Sequence, residues 1–177
     1  MCIRDRLQAD GDVVGADGIS SLVFNAVADA YYIAVHHRNH LGIMTNTAIP
    51  LSQSNSLVDF SSGNQETYGT NGQTTIGNTP GLFALWAGNT NADNRIKFSG
   101  DNNDTDTIKD GILLAPGNIF SSITYEYTGY LDIDINLDGR GKFSGSDNDA
   151  DSIKDIILSH PGNIFSSITY SIEEQVP

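Results

Sequence analysis

The segment DINLDGRGKFSGSDNDADSIKDIILSHPGNIFSSITY, residues 134–170, decides how this chain is read, because most of it occurs twice. Laying residues 97–125 over 142–170 gives 22 identities in 29 positions at a shift of 45 residues. That is a duplicated unit. Each copy opens on an Asn/Asp-rich loop, places isoleucines at helical spacing (Ile108 and Ile112, then Ile153, Ile156 and Ile157) and stops at Pro-Gly-Asn. The pattern predicts loop, helix and break in each copy. The tails NIFSSITY read as a strand or an extended return.

Residues 134–151 hold five aspartates, two asparagines and three glycines. Like charges this close repel unless a cation sits among them or water screens them. Calcium takes about six to eight oxygens, and the EF-hand loop supplies them from positions 1, 3, 5, 7 and 12 with glycine at 6. Here Asp134, Asn136 and Asp138 stand at 1, 3 and 5, Gly139 at 6, and Arg140 at 7, where the ligand is a backbone carbonyl. Position 12 is Gly145, so the closing carboxylate is Asp149, which leads into ADSIKDIIL. In the first copy Asn89, Asn91, Asp93 and Arg95 stand at 1, 3, 5 and 7, Asn94 replaces the glycine, and Asp104 matches Asp149. With two loop carboxylates against three, the first loop is expected to hold calcium more weakly. The competing reading needs no metal: Asp104 and Asp149 serve as helix N-caps, Asp106 and Asp151 favour the first turn, and Asp/Asn/Gly loops turn unaided.

These loops resemble the duplicated calcium loop and helix of type I dockerin modules, in which a closing Asp opens the helix and an apolar residue follows four later, as Ile153 follows Asp149. The likeness covers residues 89–158 and departs by a four-residue insertion around KFSG and by Gly141 at position 8, where a branched apolar residue is usual. More broadly, HHRNHLGIMT with WAGNTNADNRIKFSG and the final HPGN is similar to the C-terminal region of large secreted or cell-surface proteins of Bacteroidota-type bacteria. That resemblance implies an exported accessory module, extracellular or at the cell surface, rather than a catalytic unit.

The composition agrees with a folded protein: 177 residues, 38% hydrophobic and 18% charged. A formal charge of −13 argues against nucleic acid, because phosphate binding needs clustered Lys and Arg. No stretch approaches the ~20 apolar residues of a membrane span. MCIRDR, residues 1–6, reads as the translation of a sequencing-library transposon end and is set aside from the fold. Without it the chain has no cysteine, which removes disulfides, zinc thiolates and a cysteine nucleophile.

Before the repeats, SLVFNAV, YYIAVHHR, LGIMT and SLVDF are short β-branched and aromatic runs divided by turn residues. They predict a β-sandwich-like domain over residues 7–84, with a Gly/Asn/Thr-rich boundary at GNQETYGTNGQTTIGNTPG and GLFALWAG, containing Trp86, packing at the junction with residues 85–177. The expected fold is mixed α and β, the repeats spanning 89–125 and 134–170.

Other chemistry is weak. His36, His37 and His40 fall on opposite faces of a strand and converge only if the chain turns at Asn39. His160 sits at a helix end, where a partly cationic ring suits the dipole. There is no G-x-S-x-G elbow, no H-E-x-x-H and no phosphate loop. Tyr125, Tyr127, Tyr130 and Phe120 are candidates for stacking on sugar rings. The expected function is a non-catalytic exported module that calcium stabilises; the alternative is adhesion, a protein- or glycan-binding module whose loops bind no metal.

Overall fold

The structure is a computed structural model and describes residues 3–8, 11–77 and 79–177; Met1 and Cys2 of the segment set aside above lie outside the described residues. Among the described residues the chain is mixed: two helices, α1 (Asp104–Leu113) and α2 (Asp149–Ser159), and short strands paired antiparallel in two-stranded sheets. No helix among the described residues is long and apolar enough to cross a membrane.

The helices begin where local chemistry dictates. Asn103 and Asn148 are extended residues whose side chains accept the backbone N–H of Asp106 and Asp151, and aspartates fill each first turn. Lys109 and Lys154 pair with those aspartates three residues back. The caps therefore lie one residue before Asp104 and Asp149, which corrects the capping role expected for those two side chains and frees them to point back into their loops. Each helix stops just ahead of Pro116 or Pro161, where a proline disfavours helical geometry in the residue before it.

The strands around the loops are exchanged. Tyr127–Thr128, which follows α1, pairs with Arg140–Gly141 in the second loop. Ser171–Glu173, which follows α2, pairs with Arg95–Lys97 in the first loop. Thr128 faces Arg140 as Glu173 faces Arg95, at the same shift of 45 residues. Each copy thus closes the loop of the other.

One core joins these parts. Ile108, Ile112, Ile153 and Ile157 are fully buried between α1 and α2, with Ile96, Ile133, Ile135, Ile172, Leu41 and Trp86 packed around them. The two copies fill the same space from different positions. A Cβ on Gly141 would lie 2.6 Å from Ile133, while a Cβ on Gly88 would lie 2.8 Å from Ile96. Gly88 and Ile133 are equivalent, as are Ile96 and Gly141. Gly141 thus leaves room that Ile133 occupies, which accounts for the missing apolar side chain at position 8.

The N-terminal half is looser than its sequence suggests. Ala34–Val35 with Ile43–Met44 and Asp29–Tyr31 with Ile49–Leu51 form small sheets. SLVFNAV and SLVDF, however, carry no strand, and Val23, Val27 and Leu57 are exposed. Alternating apolar residues become a strand only when a neighbouring strand and a covering layer are present. A hairpin, Gln73–Thr75 with Phe83–Leu85, instead forms within and beyond the expected boundary segment. Leu41, from before that segment, lies in the common core, and its N–H bonds the Trp86 carbonyl.

Candidate functional site

The second acidic loop is held by side chains turned onto its own backbone. Asp134 Oδ1 accepts the N–H of Asp138 and Oδ2 that of Gly139; Asn136 Oδ1 also accepts from Asp138; Asp138 Oδ1 accepts from Arg140 at 2.9 Å. Leu137 and Gly139 adopt positive φ to make the turns. Asp149, fully buried, reaches back from the start of α2: Oδ1 accepts from Ile135 at 2.6 Å and Asn136 at 3.3 Å, and Oδ2 from Lys142 at 2.7 Å. The structure therefore brings Asp134, Asn136, Asp138 and Asp149 around one loop.

Arg140 contributes through its backbone. The Gly129 N–H bonds the Gly139 carbonyl, so Thr128 and Arg140 face each other without exchanging hydrogen bonds. Arg140's own N–H and carbonyl then turn toward the loop. Its side chain points outward, 3.4 Å from Glu126 and 3.7 Å from Asp138.

The first loop repeats this arrangement. Asn89 and Asn91 accept from Asp93, Asp93 accepts from Arg95, and the buried Asp104 accepts from Thr90 at 2.7 Å and Lys97 at 2.8 Å. Asn94 takes the left-handed turn at φ 66°, where the second loop uses Gly139 at φ 85°. The Thr90 hydroxyl donates to the Asp104 carboxylate as well, and the equivalent Ile135 has no hydroxyl. The Glu174 N–H bonds the Asn94 carbonyl, so the Arg95 N–H and carbonyl turn toward the loop as those of Arg140 do, while its side chain lies outside against Glu173.

Burial shapes the electrostatics. It pushes the Asp104 carboxyl up to about 6 against the stabilising loop N–H groups, and it raises Asp149 too, with the charge of Asp134 adding to the effect. A buried carboxylate beside another is what a bound cation relieves. No group of three His, Cys, Asp or Glu side chains among the described residues is gathered as a metal cage. Each loop instead mixes carboxylate, amide and backbone oxygens, which is the donor chemistry of calcium.

Two residues that sequence reasoning passed over hold the second loop from outside. Arg38 donates from Nε to the Leu131 carbonyl at 2.9 Å, places Nη2 4.0 Å from Asp134 and lies over the Tyr130 ring at 3.6 Å. Fully buried Asn39 donates from Nδ2 to the carbonyls of Asp134 (2.7 Å) and Asp132 (3.1 Å). The first loop has neutral Asn89 where the second has Asp134, so the arginine sits at the more acidic loop. The run HHRNH was visible, but its contacts lie more than 90 residues away.

Of the remaining candidates, His160 caps α2 and packs its ring 4.8 Å from Trp86. Burial lowers its pKa, which works against the partly cationic ring expected at the helix end. His37 and His40 meet, Nδ1 to Nδ1 at 2.8 Å, because the chain turns between them. Tyr125 bonds the Pro116 carbonyl, Tyr130 is exposed with Arg38 over one face of its ring, and Tyr127 lines an open groove of about 440 Å³ with Asp110, Leu131 and Asp132. Phe120 and Phe165 are both exposed beside Ile119 and Ile164.

No protein-family model, curated protein or solved structure matches the chain.

Proposed function

We propose that this is a non-catalytic, exported module whose two dockerin-like loops bind calcium and are stiffened by it at the cell surface or outside the cell, with the N-terminal hairpins as a β-sandwich-like companion. The observation that carries the reading is the repeated hydrogen-bond pattern, in which residues at positions 1, 3 and 5 fold onto the loop and a buried aspartate closes it from a helix start. Calcium would be held by Asp134, Asn136, Asp138, the Arg140 carbonyl and Asp149, and more weakly by Asn89, Asn91, Asp93, the Arg95 carbonyl and Asp104. Its role is to neutralise carboxylates that the fold crowds together.

Thermal unfolding in calcium and in chelator tests the proposal. At a hundredfold excess over Kd, one site adds about 2.7 kcal/mol, which raises Tm by roughly 5–10 °C for a chain of this size. Asp134→Ala with Asp138→Ala should remove most of that rise, and equal melting in calcium and chelator would refute it.

A second reading, a protein- or glycan-binding module, is favoured by the two exposed Ile-Phe pairs. They stand 45 residues apart, each held by a buried asparagine: Asn118 Nδ2 donates to the Ile112 and Ser122 carbonyls, and Asn163 to those of Ile157 and Ser167. Partner capture by the chelated protein, lost on Phe120→Ser with Phe165→Ser, would support this reading over the first.

A further inference from the structure

We infer that His37, His40 and Asn39 form a site for a borderline divalent transition metal such as Ni²⁺ or Cu²⁺, beside the second acidic loop and sharing no ligand with it. The His40 N–H bonds the His37 carbonyl at 3.3 Å, closing a turn that sets both imidazoles on one side. Their Nδ1 atoms lie 2.8 Å apart, and the Asn39 Oδ1 lies 2.8 Å from His40 Nδ1. Ligands at right angles, each about 2.0–2.1 Å from a metal, are about 2.9 Å apart, whereas tetrahedral ligands are about 3.4 Å apart. The spacing matches the tetragonal or octahedral preference of Cu²⁺ and Ni²⁺ better than tetrahedral zinc.

The proton count points the same way. Asn39 Nδ2 is committed to two backbone carbonyls, so Oδ1 is the acceptor facing His40. His40 Nδ1 must then carry the proton, and His37 Nδ1 must accept, leaving the His37 N–H on Nε2. That nitrogen lies 3.3 Å from Nη1 of Arg38, which can only donate. No assignment of neutral rings satisfies all three contacts. Even that assignment makes one His40 proton serve both 2.8 Å contacts; a metal on the two Nδ1 atoms, with Asn39 Oδ1 beside it, removes that sharing and leaves the longest contact unmet as before. Arg38 faces both Asp132 and Asp134, so its charge does not stand alone against an incoming dication.

The test is an NMR titration of the full chain with Ni²⁺ in excess calcium, which occupies any oxygen-donor loop and has little affinity for imidazole. The ring signals of His37 and His40 should broaden first, while those of His36 and His160 persist. Calorimetry on His37→Gln and on His40→Gln should show at least tenfold weaker Ni²⁺ binding, with His36→Gln unchanged. Broadening that begins at His36 or His160, or no saturable Ni²⁺ binding by the unsubstituted chain, would overturn the site. Neither result depends on whether the loops bind calcium, which the melting experiment reads separately.

Discussion

At the scale of single residues, Asp149 is fully buried and committed to its own loop. Both of its oxygens accept loop N–H groups, so an amide at this position would turn an N–H toward a donor. Asp149→Asn should cost about 1–3 kcal/mol in chelator, read from urea unfolding, and should lose further ground in calcium. Asp104 carries a pH signature. Its folded pKa, about 6, lies above the ordinary 3.8, so its favourable contribution is complete below 3.8 and is lost as pH rises through about 6. His37 and His40 act oppositely: their depressed pKa values make stability fall as pH drops below the ordinary 6.5. The histidine effect is common to calcium and chelator, so the difference between the two melting temperatures isolates the carboxylates. That difference should grow from pH 4 to pH 7, and a constant difference would contradict the assignment. The spacing of Asp134, Asn136 and Asp138 was legible because Asx turns act over two to five residues. The grip of Arg38 and Asn39 was not, because nothing local marks which distant carbonyl a polar side chain will find.

Among the elements, the exchanged strands and the Gly/Ile compensation make separable predictions. Gly141→Ile places a side chain against Ile133 and should destabilise by about 1–3 kcal/mol, as overpacking does. Combining it with Ile133→Gly, which reproduces the first copy's pairing of Gly88 with Ile96, should recover much of the loss; an additive double variant would contradict the packing. Deleting residues 171–177 removes the partner of Arg95–Lys97 and not that of Arg140–Gly141. Amide exchange should therefore accelerate in the first loop, far away in sequence, rather than in the adjacent second loop. The helices were readable because first-turn aspartates, isoleucine spacing and the Pro-Gly-Asn stop agree within a few residues, although the capping asparagines lie one residue ahead of the aspartates expected to cap. The exchange was not, since Tyr127–Thr128 and Ser171–Glu173 are too short to announce a partner. SLVFNAV and SLVDF misled for the converse reason: their pattern is β-like, but the fold supplies no layer to cover it.

For the whole molecule, the common core and the reciprocal closure of the loops mean that a cation bound in either loop, as proposed, would support both helices. Leu41 and Trp86 bring the N-terminal half into that core, so calcium should also raise the stability of segments well outside residues 89–173. Calorimetric titration of the full chain with calcium is the most direct measurement. Two unequal binding events are predicted, the tighter one abolished by Asp134→Ala with Asp138→Ala and the weaker one by Asp93→Ala. No saturable binding at calcium on the order of 1 mM, the range of extracellular calcium modules, would contradict the account and leave both loops as metal-free turns.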